Sequence, residues 1–87
     1  MKVVTKPVDM IVWFKSDGTP TPIKFKIENA DKTYSVIKID KILFSQKEKL
    51  AGNNMLVFNC QSVINDMERV YQLKYELATC KWILFKI

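Results

Sequence analysis

Apolar and charged residues alternate strictly along Ile23-Lys24-Phe25-Lys26-Ile27-Glu28. A strand with that period buries one face and wets the other. Upstream, Val8-Asp9-Met10-Ile11-Val12-Trp13-Phe14 is a second candidate strand, and the Gly and Pro of Ser16-Asp17-Gly18-Thr19-Pro20-Thr21-Pro22 suit the loop between them. Antiparallel pairing of Phe14 with Ile23 sets Val12 opposite Phe25 and Met10 opposite Ile27, which puts these apolar side chains on one face. Ile11 and Trp13 then point to the other face.

The next reversal falls at Asn29-Ala30-Asp31-Lys32. Pairing Ile27 with Tyr34 puts Phe25 opposite Val36. Val36 continues the apolar face, whereas Ile37 and Ile39 belong to the opposite one. Such a change of parity predicts a β-bulge in the third strand. Bends of this kind curl small sheets into barrels. Ser45 and Glu48 have capping-box spacing, and Gly52 sits where a helix would end. Residues 45–52 therefore read either as one or two helical turns or as a loop tipped by Lys47 and Lys49.

In the C-terminal third, Asn65-Asp66 suits a two-residue hairpin turn. Closing it there pairs Cys60 with Tyr71, Phe58 with Leu73 and Leu56 with Tyr75. A second reversal at Ala78-Thr79-Cys80 pairs Tyr75 with Ile83, Leu73 with Phe85 and Tyr71 with Ile87. The competing reading is a helix over residues 61–77, with Ile64, Met67, Tyr71 and Tyr75 along one side. Alternation from Arg69 to Leu77 favours the strand. The chain is thus expected to be all-β, a six-stranded antiparallel meander curled into a small SH3-like or similar open barrel. A two-layer β-sandwich is the alternative.

At 87 residues the expectation is a single domain spanning 1–87. With 48% hydrophobic residues, including five Phe, three Tyr and two Trp, it has the apolar content a folded core needs. No apolar run approaches the ~18 residues of a membrane helix, and the first residues lack the apolar stretch of a secretion signal. A cytoplasmic location and no membrane partner are expected. Cys60 and Cys80 are expected to be a free, buried pair, and Cys60, flanked by Phe58 and Tyr71, to be inert.

Histidine is absent. That removes the commonest general base and metal ligand together. Two cysteines without Cys-x-x-Cys do not make a zinc site, and neither glycine lies in a phosphate-binding loop. No catalytic residue, metal or cofactor is expected, and the protein is expected not to be an enzyme. Asp40, flanked by Lys38 and Lys41, reads as a surface ion pair.

The net charge of +5 changes the picture, because ten of the fourteen basic residues precede Leu50. A Lys-rich surface attracts polyanions, and Lys24, Lys26, Lys38 and Lys41 are the candidate nucleic-acid contacts. Lysine also blunts sheet edges and keeps small β-proteins soluble. Trp13 and Trp82 each lie opposite the main apolar stripe in these registers. They read either as an interaction surface, stacking on bases or on a protein partner, or as a second small core with Ile37, Ile39 and Leu84.

Pro22-Ile23-Lys24-Phe25-Lys26, then Tyr34-Ser35-Val36-Ile37-Lys38-Ile39, resembles the start of small uncharacterised bacterial domains that accompany translesion DNA polymerases. Those domains carry P-x-x-F-x-W, then Y-x-V and an apolar pair. Their end is similar to Val70-Tyr71-Gln72-Leu73-Lys74-Tyr75 followed by Trp82-Ile83-Leu84, so the likeness spans roughly residues 22–87. Ile27 stands where that pattern has Trp. The resemblance implies a small barrel and an accessory role beside DNA-processing proteins. Together these readings lead to a non-catalytic binding module that contacts nucleic acid or a DNA-processing protein. The alternative is a structural or adaptor protein, homo-oligomeric or bound to a protein partner through an edge strand.

Overall fold

The computed structural model describes residues 1–87 and contains strands and turns but no helix. Its strands are β1 (Val3–Phe14), β2 (Pro20–Glu28), β3 (Tyr34–Lys38), β4 (Lys41–Leu50), β5 (Asn53–Ile64), β6 (Met67–Glu76) and β7 (Lys81–Lys86). They form one antiparallel sheet in the order β3-β2-β1-β7-β6-β5-β4, curled into an open half-barrel. The all-β open barrel expected from the alternation is therefore what forms, with seven strands in place of six. It is not a plain meander. The first and last strands, β1 and β7, pair at the middle of the sheet, and β3 and β4, consecutive in sequence, occupy its two edges.

The added strand is β4, which replaces the helical turns or loop considered for residues 45–52. Ser45 and Glu48 lie in it, facing Phe58 and Met55 across the ladder. Gly52 does not end a helix. With Ala51 it forms a two-residue turn in which both residues have positive φ, +51° and +82°. That conformation matches the twist of the flanking strands. Asn65-Asp66 makes the same turn between β5 and β6, with φ of +51° and +61°. The register it fixes pairs Cys60 with Tyr71, Phe58 with Leu73 and Leu56 with Tyr75, as the sequence indicated. No helix crosses residues 61–77.

Three other registers differ from expectation. Between β1 and β2, Met10 faces Phe25 and Val12 faces Pro22, and the ladder skips Ile23. The shift is an even one at Phe25, so Met10 and Phe25 keep their face, while Ile23 is extruded at a bulge. Between β2 and β3, Phe25 faces Ile37 and Ile27 faces Ser35. No bulge interrupts β3; the one-residue offset turns Ile37 inward and Tyr34 and Val36 outward. Between β6 and β7, Tyr75 faces Trp82 and Leu73 faces Leu84, again one residue from the expected partners Ile83 and Phe85. Both offsets arise in the turns. Lys32 and Cys80 adopt positive φ and lead the chain into β3 and β7; Cys80, placed in that turn, is a free thiol exposed to solvent rather than buried as Cys60 is.

The core joins Phe25 and Ile37 from one side of the curl to Phe58, Cys60, Tyr71, Leu73, Tyr75, Trp82 and Leu84 from the other. Phe25 packs on Tyr71 with ring centroids 5.6 Å apart, and Trp82 sits between Phe58 and Tyr75 at 5.5 and 4.8 Å. Burial pushes the Cys60 thiol up to about 12 and the Tyr71 phenol to about 12, so both stay protonated near neutrality. The β3–β4 corner is tied to β5. Ser62 Oγ donates to the Lys38 carbonyl at 2.7 Å and lies 2.6 Å from the buried Tyr71 hydroxyl. Asp40 accepts from the Val63 N–H at 2.8 Å. Asp40 thus holds the backbone of β5 and forms no ion pair with Lys38 or Lys41.

The outer face of β4–β7 has a small packed layer of its own. Lys74 is only 7% exposed there. Its ammonium bonds the Glu48 carboxylate at 3.0 Å and lies 3.8 Å from the Phe85 ring centroid.

Candidate nucleic-acid interface

Alternation along β1, β2 and β3 sends one set of side chains into the core and the other to the convex outer face. The register fixes which side chains meet on that face. Trp13 faces Thr21; Ile11 faces Lys24, which faces Lys38; Asp9 faces Lys26, which faces Val36; and Glu28 faces Tyr34. Trp13 is 69% exposed, Tyr34 59% and Val36 64%. A shallow depression of about 340 Å³ lies between them, lined by Ile11, Lys24, Lys26 and Val36 among others.

The hairpins that build this face share one device. Thr19 N–H donates to Asp17 Oδ1 at 2.9 Å, and Thr33 N–H donates to Asp31 Oδ1 at 3.1 Å. These bonds to Thr hold both carboxyls below their usual range. Asp-x-Thr followed by a strand is thus the local signal that closes both loops, with Gly18 and Lys32 supplying the positive φ.

Three of the four candidate lysines converge here and one does not. Lys24 and Lys38 stand directly opposite each other, and neither has a carboxylate within salt-bridge distance. Like charges in that relation repel. Lys26 makes an exposed 3.7 Å pair with Asp9 and lies 4.8 Å from the Tyr34 ring centroid. Exposed pairs of that length contribute ~0–1 kcal/mol and open easily. Lys41 belongs to β4, opposite Gln61 near the other edge of the sheet, and is not part of this face.

The two tryptophans also separate. Trp13 is on the outer face. Trp82 is 6% exposed and lies in the core with Ile37 and Leu84, against which Ile39 packs, so it is no interaction surface; of the small core expected for both tryptophans only Trp13 is missing, and the rest is part of the single core. The one-residue offset at β6–β7 is the reason. Tyr34 and Val36 were missed for the same cause on β3, since the expected register sent them inward. Ile11 was legible, because it shares the parity of Trp13.

Comparison of the chain with family models, with curated proteins and with solved structures found no match.

Proposed function

We infer that the outer face of β1–β3 binds single-stranded nucleic acid, and that the protein acts as a non-catalytic module. The observation that carries this is the directly opposed, unpaired Lys24 and Lys38, set between two solvent-facing aromatic rings. A phosphate placed between the lysines removes their repulsion, and unstacked bases find Trp13 and Tyr34 as platforms. A duplex hides its base faces and has no use for those rings. The register also sets a scale. Trp13 and Tyr34 are separated by two inter-strand steps and seven residues of β2, or ~25 Å at usual sheet spacings. One base cannot touch both, and a site of about four nucleotides, the small end of the range for such platforms, spans them. An accessory role beside DNA-processing enzymes is consistent with this reading.

Fluorescence anisotropy of a labelled oligothymidylate tests it. With three lysines engaged, log K is expected to fall with log salt at a slope of about −2. Replacing Lys24, Lys26 and Lys38 by Gln together is expected to remove binding, while Lys41→Gln leaves it unchanged. No binding at low salt, or equal loss on Lys41→Gln, defeats the proposal.

A second reading, self-association through an edge strand, has one observation in its favour. β4 is ten residues long with a free edge, and the skipped residue at Leu43 leaves Phe44 turned to solvent. Lys41, Lys47 and Lys49 along that strand work against it. Sedimentation over a range of concentrations separates the two: a strict monomer removes this one.

A further inference from the structure

The curl brings the free edge of β3 over β5, and a groove of about 630 Å³ runs along the seam. Its walls are the β3 edge and the tip of the β5–β6 hairpin. Ile27, Ile37, Ile64 and Leu84 give it an apolar lining. The backbone of β3 supplies the second feature. Ile39 N–H bonds the Ile23 carbonyl on β2, whereas the Lys38 carbonyl faces away and accepts from Ser62. Donors and acceptors alternate sides along a strand, so Val36 N–H and C=O also point away from β2, toward the groove. No strand pairs with β3 on that side. The third feature is charge. Lys6 and Lys38 line the groove without a salt-bridge partner, and no Asp or Glu side chain lines it.

We propose that this seam takes an extended peptide, alternating acidic and apolar residues, as an added strand on the edge of β3. The peptide backbone pairs with Val36, its apolar side chains enter the groove, and its carboxylates meet Lys6 and Lys38. An unpaired backbone edge recognises another backbone, and alternate side-chain pockets give the selection. An oligonucleotide lacks the N–H row that this edge would match. The site is distinct from the Trp13–Tyr34 face, although Lys38 and Val36 border both.

The test uses the full chain and two labelled six-residue peptides, one alternating Glu with Val and one alternating Lys with Val. Amide hydrogen exchange is followed residue by residue. The Glu-Val peptide is expected to bind and to slow exchange at Val36 by about tenfold or more, while Ile37, already paired to β2, changes little. Lys6→Glu is expected to weaken this binding roughly tenfold and to leave oligothymidylate binding intact. Val36→Pro, tolerable on an edge strand, is expected to abolish it. The proposal fails if the Glu-Val peptide does not bind, if the Lys-Val peptide binds as well, or if Val36 is not protected. Protection of Val36 that grows with protein concentration alone assigns the edge to a second copy and also overturns it. Loss of oligonucleotide binding by itself defeats only the reading of the outer face.

Discussion

Ser62→Ala is expected to be among the most damaging one-atom deletions in this protein. The Ser62 hydroxyl has one proton, which goes to the Lys38 carbonyl at 2.7 Å, so the Tyr71 hydroxyl 2.6 Å away must be the donor to Ser62. Removing Oγ leaves two groups without partners, the phenol of a fully buried tyrosine and a carbonyl in the barrel seam. A buried polar group left unsatisfied costs about 1–3 kcal/mol. The phenol bears about 1–3 kcal/mol and the seam carbonyl, nearer to solvent, about 1, for a loss of about 2–4 kcal/mol. Tyr71→Phe deletes the phenol but leaves Ser62 bonded to Lys38, and is expected to cost about 1 kcal/mol. In the double variant the orphaned phenol no longer exists, so the two changes are less than additive, with a coupling of about 1–3 kcal/mol. A domain of this length has roughly 4–13 kcal/mol in total, so Ser62→Ala removes a visible share. For domains of this size each kcal/mol moves Tm by about 4–8 °C. Urea titration followed by Trp82 fluorescence reads all three variants. Ser62→Ala no worse than Tyr71→Phe, or strict additivity, refutes the assignment of donors and the role of this bond in closing the seam.

The raised pKa values of Cys60 and Tyr71 predict alkaline instability. Their unfolded values are near 9 and 10, and their folded values about 12. The stabilisation is complete below pH 9 and is lost as pH rises from there toward 12, at up to about 1.4 kcal/mol per pH unit per group. Urea midpoints from pH 8 to 11 check this, and Cys60→Ala is expected to flatten the early part of the slope. Glu48→Gln strands the Lys74 ammonium over Phe85 and is expected to destabilise by about 3 kcal/mol, whereas replacing both partners, Glu48→Leu with Lys74→Met, is close to neutral or better; thermal melts distinguish them. Trp82→Ala empties the space between Phe58 and Tyr75 and is expected to cost about 3–5 kcal/mol. Trp13→Ala is expected to change stability by under ~0.5 kcal/mol while weakening oligothymidylate binding. Denaturation and anisotropy on the same samples check that pair.

Period-two alternation determined the fold class, because a side-chain repeat of two fits only a strand with one buried face. It also determined the β5–β6 pairing to the residue. The Asn65-Asp66 turn has two positions, both of a type that tolerates positive φ, and its closure leaves one register. The neighbouring turns hid their length. Lys32 and Cys80 take the left-handed conformation that Gly or Asn would have advertised, and each loop differs by one residue from the length its composition suggests. In a strand one residue exchanges the two faces. That exchange sent Trp82 into the core, brought Tyr34 and Val36 out to join Trp13, and so remade the candidate surface. The strand character of residues 45–50 was obscured in the same way, since a serine, a glutamate and a glycine at helix-end spacing also fit an edge strand and its turn. Other features lay beyond any local signal. The pairing of β1 with β7, the opposition of Lys24 to Lys38 and the Tyr71–Ser62–Lys38 seam all join residues distant in sequence. Their partners were chosen by the curl of the sheet as it closed over Phe25 and Tyr71, an outcome of packing in three dimensions that no single strand encodes.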